Sequence, residues 1–83
     1  MPEGYDEGYD RTGLIQALEE LLAERNESMR EASLGAGLDH GAIRRYVRYG
    51  RRPTRDSLLL LADHFEVNPN DLLELAGYER MYF

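Results

Sequence analysis

The chemistry of this sequence is concentrated in a run of arginines between residues 42 and 55, AIRRYVRYGRRPTR. The run carries six arginines and no acidic residue, although the whole chain has a net charge of -6. The remainder of the chain therefore holds four arginines against 16 acidic residues. Charge asymmetry of this kind indicates a polyanion or an anionic surface as the partner. A solvated helix face is the alternative interpretation when charge alone is considered.

Other reactive residue types are absent or isolated. The chain has no cysteine, which excludes disulfides, thiolate metal sites and cysteine nucleophiles. Ser33 and Ser57 lack a recognisable histidine–carboxylate partner, and no GxxxxGK phosphate loop occurs. His64 has no second histidine or cysteine at ligand spacing, so we expect it to be a surface residue on the outward side of its helix. These observations predict a protein that is not an enzyme and has no metal and no cofactor.

Length and composition favour one small cytoplasmic domain. Eighty-three residues suffice for a single domain with a modest core. The longest apolar run, LLLLA at residues 58–62, is far shorter than the roughly 18 residues that span a bilayer, so no membrane association is expected. The N-terminal MPEGYDEGYD is acidic, unlike the basic start of a secretory signal. Residues 1–11 contain EGYD twice and no apolar periodicity, which predicts a disordered acidic tail.

Apolar spacing and capping residues predict five helices and no strand, an all-α domain over residues 12–77. The first helix follows Thr12 and stops at Asn26, and the others cover residues 29–36, 40–49, 55–65 and about 69–76. The predicted N-caps are Thr12, Ser28, Asp39, Thr54 and Asn68. The predicted inward residues are Leu14, Leu18, Leu21, Leu22, Ala32, Ala36, Ile43, Tyr46, Val47, Leu58, Leu61, Ala62, Phe65, Leu72, Leu73 and Ala76.

The third predicted helix separates apolar from basic residues. On a wheel at 100° per residue, Ile43, Tyr46 and Val47 share one side. The opposite side is basic and carries His40, Gly41, Arg44, Arg45 and Arg48. Gly41 costs about 1 kcal/mol in a helix relative to alanine, which indicates that this face approaches another group closely.

The junction between the second and third helices has its own pattern. Ser33 is a small residue where the two helices cross, and Gly37 supplies the positive φ that a sharp turn requires. Leu38 is the apolar residue of the turn. This arrangement is typical of two helices joined by a tight turn at a steep angle.

Together these features resemble the Cro/C1-type (XRE-like) helix-turn-helix domains of phage repressors and bacterial regulators. The resemblance lies in SMREASLGAGLDHGAI and in YGRRPTRDSLLLLADHFEVNPNDLLELAG, and it extends over residues 12–77. In that family the second helix lies across the groove of DNA and the third enters the major groove. The resemblance implies a sequence-specific transcriptional regulator of the repressor type, bacterial or phage-encoded, which binds double-stranded DNA as a homodimer on a two-fold site.

The resemblance also implies roles for individual residues. Base edges would be contacted by His40, Gly41, Arg44 and Arg45. Phosphates would be contacted by Ser28, Met29, Arg30, Arg48, Arg51 and Arg52. A bidentate arginine–guanine pair is worth about 1–3 kcal/mol. Arg44 and Arg45 are the candidates for this contact, and the angular position of Arg45 on the helix is the better one for reaching deep into the groove. Leu34 takes a position that is usually polar in the family, so the second helix is expected to expose a leucine.

The chain ends allow several interpretations. Residues 78–83, YERMYF, are apolar and aromatic, which predicts a dimer contact or the start of a further domain. The residues assigned to this contact are Leu75, Tyr78, Met81, Tyr82 and Phe83. An antitoxin-type or adaptor protein would use the same fold to bind a protein partner, through Leu34 and the C-terminal aromatics. A further hypothesis is that EGYDEGYD folds over the arginine face and competes with DNA.

Overall fold

The computed structural model describes residues 9–81, which form five α-helices and no β-strand. Helix α1 spans Arg11–Arg25, α2 Met29–Gly35, α3 Ala42–Arg48, α4 Arg55–Phe65 and α5 Pro69–Leu75. The predicted all-α class is therefore confirmed. Residues 1–8 of the predicted tail (residues 1–11) and the predicted contacts Tyr82 and Phe83 lie outside the described residues. None of the helices in residues 9–81 has the length and apolar character needed to cross a bilayer.

Three of the predicted N-caps are confirmed. The side chains of Ser28, Thr54 and Asn68 accept hydrogen bonds from backbone N–H groups of the helices that follow them, which satisfies donors that have no partner inside the helix. In addition, the backbone N–H of Ser28 donates to the carboxylate of Glu31 at 2.9 Å, which completes a capping box. Asn26 adopts the left-handed conformation, with φ of 54°, and ends α1 as predicted.

Helix α1 begins earlier than predicted, and Thr12 is not its cap. The N-cap is Asp10, whose carboxylate accepts the N–H of Gly13 at 2.9 Å. The backbone N–H of Asp10 donates to the carbonyl of Leu75 at 2.7 Å, and Tyr9 forms an isolated antiparallel bridge with Ala76. Tyr9 and Asp10, which composition alone places in the acidic tail, are thus held against the end of α5, and Arg11 is the first residue of α1.

Helix α3 is shorter than predicted, and Asp39 does not cap it. Its first residue is Ala42 and its N-cap residue is Gly41, which provides no side chain for capping. The carboxylate of Asp39 instead accepts the Gly41 N–H at 3.3 Å and pairs with Arg45. His40 and Gly41 therefore lie in the turn before α3 and not on the helix itself.

The hydroxyl of Ser33 supplies the cap that α3 lacks. Its Oγ donates to the carbonyl of Met29 at 2.7 Å and accepts the N–H of Ile43 at 3.1 Å. Ile43 is the second residue of α3, so its N–H has no partner within the helix. Gly37 turns the chain between the two helices with φ of 90°, a conformation that glycine adopts without steric cost. Ser33, which is fully buried, thereby fixes α3 on α2.

One hydrophobic core joins all five helices. Its buried members are Leu14, Leu18, Leu22, Ala32, Ala36, Ala42, Ile43, Tyr46, Leu58, Leu61, Ala62, Phe65, Leu72, Leu73 and Ala76. Every predicted inward position is therefore buried except Leu21 and Val47, which are half-buried. Because Ile43 and Tyr46 are buried on one side of α3, the other side of that short helix faces outward.

His64 is half-buried, contrary to the prediction of a surface residue. Its Nε2 lies 3.0 Å from both carboxylate oxygens of Glu27, and its ring packs edge-on against Phe65. The absent side chain of Gly35 makes room for the ring, because a β-carbon there would lie 2.5 Å from Cε1 of His64. Helix α4 is thus tied both to α2 and to the connection before it.

The free energy of unfolding should depend on pH through Glu27. Partial burial raises the pKa of Glu27, but hydrogen bonds from His64 and Arg25 outweigh it and hold this pKa below the ordinary 4.5. A lowered pKa stabilises the fold above the unfolded value, and this stabilisation is lost as the pH falls through the folded value. Glu27→Gln should therefore lose less stability than the wild type between about pH 7 and pH 3.

Thermal unfolding followed by far-UV circular dichroism at several pH values measures this difference. The matched control is Glu19→Gln, which removes an exposed carboxylate from α1 and should keep the wild-type dependence. Parallel pH curves for the wild type and Glu27→Gln would contradict the assignment.

Ser33→Ala should destabilise the domain by about 1–3 kcal/mol, because it leaves the buried N–H of Ile43 without a partner. Urea unfolding followed by circular dichroism gives the change. The matched control is Ser57→Ala, which removes a hydroxyl that accepts from Thr54 Oγ1 in an exposed position and should change stability by less than about 0.5 kcal/mol. Equal destabilisation of the two variants would mean that the hydrogen bond between Ser33 and Ile43 stabilises the fold no more than an exposed one does.

Candidate nucleic-acid interface

Six of the predicted contact residues line one cleft on the outer surface of α2 and α3. The cleft has a volume of about 370 Å³ and is lined by Ser28, Met29, Arg30, His40, Gly41 and Arg44. The first three come from the start of α2, and the others come from the turn before α3 and from its first half. The structure therefore brings together residues predicted for phosphate contacts and residues predicted for base contacts.

The arginines around this cleft are exposed. Arg30, Arg44, Arg48 and Arg51 all lie on the surface. Within residues 9–81, the side chains of Arg30, Arg48 and Arg51 form no ion pair or hydrogen bond. These cations are therefore available to an anionic ligand without breaking an existing interaction.

Arg44 has an aromatic neighbour that the sequence pattern did not reveal. Its guanidinium lies 5.9 Å from the centre of the Tyr49 ring, a distance at which cation–π attraction operates. Tyr49 is 65% exposed, the largest exposed fraction among the exposed large hydrophobic side chains of the described residues. The spacing of five residues, at the end of the helix, gave no signal for this pair.

Arg45 is held by a carboxylate, although the arginine run itself contains no acid. Its Nη1 donates to Oδ2 of Asp39 at 3.0 Å and its Nη2 to Oδ1 at 2.6 Å. The hydrogen bonds from Arg45 lower the pKa of Asp39, and the same interaction raises the pKa of Arg45. Both groups thus stay charged. Asp39 reaches the basic face of α3 from the turn just before the run, so this face contains an acid that the run does not.

Arg52 is a structural residue in this fold, whereas the resemblance implied a phosphate contact. Its Nε donates to the carbonyl of Ala76 at 2.8 Å, and its guanidinium lies 4.1 Å from the centre of the Tyr78 ring. Arg55 also faces this ring, at 5.3 Å. Arg52 therefore fixes the loop before α4 to the end of α5, and its side chain is only partly accessible.

The described residues of the predicted dimer contact are mostly engaged within the domain. The hydroxyl of Tyr78 donates to the carbonyl of Pro53 at 2.8 Å. The backbone of Met81 forms two hydrogen bonds with the side chain of Asn70. Leu75 is half-buried in a groove between α1 and α5. Of these residues, Leu75 lines a groove open to solvent.

The groove at Leu75 has the opposite charge to the cleft at Arg44. Its apolar lining includes Ala17, Leu21 and Val67, and its charged lining consists of Glu20, Glu24 and Asp71. No arginine lines it. No acidic residue lines the cleft at Arg44, so the two depressions carry charges of opposite sign.

No family model, curated protein or solved structure matched this chain. What the cleft binds must therefore be inferred from its own side chains. They offer guanidinium groups, a histidine and a backbone free of bulk at Gly41, which together suit a polyanion with hydrogen-bonding edges.

Arg52→Ala should lower the free energy of unfolding by about 1.5–3 kcal/mol, because the buried carbonyl of Ala76 would no longer have a charged donor. The matched control is Arg51→Ala, which removes the same charge from an exposed side chain and should cost less than about 0.5 kcal/mol. Urea unfolding of both variants measures the difference. Equal free energies of unfolding for the two variants would mean that Arg52 does not stabilise the fold and is available to a ligand.

Proposed function

We propose that this protein is a Cro/C1-like helix-turn-helix regulator that binds double-stranded DNA, with α3 in the major groove. The observation that carries the proposal is the cleft shared by the start of α2 and the start of α3. Its position matches the surface that such domains present to DNA. Its lining combines Arg30 and Arg44 with His40 and the bare backbone of Gly41.

The distribution of exposed arginines supports two kinds of contact. Arg30 on α2, Arg48 at the last position of α3 and Arg51 just after α3 are exposed. They would neutralise phosphates and supply the salt-dependent part of the affinity. Arg44 and Arg45 are in the first half of α3, the part of a recognition helix whose side chains reach base edges. Phosphate contacts set the register of such a protein on DNA, and base contacts give it sequence preference.

The size of the domain favours pairing on DNA. A single recognition module buries only about 600–1,000 Å² of protein surface on DNA. Two copies on half-sites about one helical turn apart would double that area. Because Tyr78 and Met81 are bound within their own domain, we propose the groove containing Leu75 as the described part of the dimer contact.

One observation keeps a second function in view. Leu34 on α2 is 52% exposed, as the resemblance led us to expect, and in the second function it would supply an apolar contact to a protein partner. An antitoxin-type or adaptor role would use this surface with or without DNA.

The DNA-binding proposal predicts salt-dependent binding through the arginines of the cleft and its flank. A fluorescently labelled pool of randomised duplexes, titrated by anisotropy at about 50 and 200 mM salt, should bind the wild type, and the affinity should fall steeply with salt. Arg44→Ala/Arg48→Ala should bind more weakly, and its salt slope should fall by about one for each phosphate that is no longer neutralised.

The control is Arg80→Ala, which removes one positive charge from a side chain paired with Glu74, so its effect is compared with that of Arg44→Ala alone. Arg80→Ala should bind nearly as the wild type does. An equal weakening in this control would mean that total charge, and not the cleft, determines binding. No binding by the wild type at low salt would contradict the proposal and favour the protein-partner alternative at Leu34.

A further inference from the structure

The turn before α3 holds Asp39 and Arg45 in a fixed arrangement. Each carboxylate oxygen of Asp39 accepts one hydrogen bond from a different terminal nitrogen of Arg45, at 3.0 and 2.6 Å. Oδ2 also accepts the backbone N–H of Gly41 at 3.3 Å. The carboxylate is therefore anchored on the backbone and in turn anchors the guanidinium.

Gly41 leaves the space in which this pair forms. A β-carbon at Gly41 would lie 3.2 Å from Nη1 of Arg45 and 3.7 Å from Oδ2 of Asp39. The sequence suggested that a missing side chain here admits a close approach, and the group that approaches is the guanidinium of Arg45. A larger residue would press on the pair.

The interaction with Asp39 uses only one edge of the guanidinium. A guanidinium carries five N–H donors in a rigid plane, and Asp39 occupies the end edge formed by Nη1 and Nη2. The side edge, formed by Nε and the second hydrogen of Nη2, forms no bond to any residue between 9 and 81. It presents two parallel donors, the arrangement that pairs bidentately with two neighbouring acceptors.

In the major groove, guanine offers two neighbouring acceptors, O6 and N7. We propose that the side edge of Arg45 is a guanine-binding subsite, and that Asp39 is the positioning residue that holds it in the reading orientation. The inference rests on the proposed DNA-binding function and names the base that this part of the site selects. Arg44 lacks such an anchor, since its described neighbour is the exposed ring of Tyr49.

An exposed ion pair adds little to stability, so the value of this one lies elsewhere. The side chains of Arg45 and Asp39 are 41% and 57% exposed. An arginine that is already fixed gives up less rotamer freedom when it binds its ligand. The carboxylate also repels phosphates, so it favours the use of Arg45 at a base edge over its use on the DNA backbone.

The test begins with the duplex selected by the wild type from a randomised pool. Each base pair of that duplex is then replaced in turn, and relative affinities are measured by anisotropy competition. One position should prefer guanine by about 5- to 140-fold, the range of a bidentate pair. Arg45→Ala should abolish this preference, and Asp39→Asn should reduce it several-fold without weakening binding to the randomised pool. Arg44→Ala removes the neighbouring arginine, so it should weaken binding to every duplex but keep the guanine preference at this position.

A second measurement does not depend on the Asp39 variant. Replacing that guanine with 7-deazaguanine removes the N7 acceptor, and it should weaken binding by the wild type but leave Arg45→Ala unaffected. Circular dichroism checks that each variant is folded.

Three results would overturn the inference. Guanine preference retained by Arg45→Ala would exclude the subsite. An equal gain in affinity for every duplex by Asp39→Asn, with the preference intact, would mean that Asp39 only neutralises Arg45. Failure of the wild type to bind any duplex would overturn the DNA-binding function and the subsite together, whereas the first two results leave that function standing.

Discussion

The hydroxyl of Ser33 connects the two helices that form the candidate interface. Helix α3 has seven residues, and a helix of that length is not stable by itself in water. It is held by packing of Ile43 and Tyr46 in the core and by the bond from the Ile43 N–H to Ser33. The position of the cleft follows, because the same bond sets the start of α3 against α2.

The arginine run does not act as one patch of positive charge. Arg52 holds the end of α5, Arg45 is held by Asp39, and Arg48 and Arg51 are exposed without a described partner. Guanidinium groups of identical chemistry therefore have three roles in this fold. One stabilises the structure, one is held in a fixed orientation, and two are exposed to solvent. This division depends on which acceptors lie near each group, and it explains why a count of charges alone describes the surface poorly.

The sequence predicted those features of the fold that depend on neighbouring residues. The caps at Ser28, Thr54 and Asn68 act within three residues, and the apolar spacing of α4 predicts its buried side. The errors concern groups that are distant along the chain. Asp10 caps α1 in a segment held by the end of α5, and the partner of His64 is Glu27. No local pattern identifies such pairs, because they form only when the helices have packed.

The candidate site follows the same rule. The basic side of α3 could be predicted from helical spacing, and the cleft contains six of the predicted residues. The pairing of Asp39 with Arg45 could not be predicted. The two residues are six positions apart, and the turn at residues 40 and 41 that brings them together was predicted to be helical. Its acidic member was assigned to capping, which Ser33 performs from another helix.

The bridge between Tyr9 and Ala76 also bears on how the protein is made. It joins residues near the two ends of the described chain, and the N–H of Asp10 binds the carbonyl of Leu75. Helix α1 is synthesised before α5, so its start is fixed by residues that leave the ribosome later. Until α5 emerges, the part of α1 that packs against α5 lacks its cover, so a nascent chain that stalls before Leu75 exposes apolar surface of α1 to chaperones and proteases.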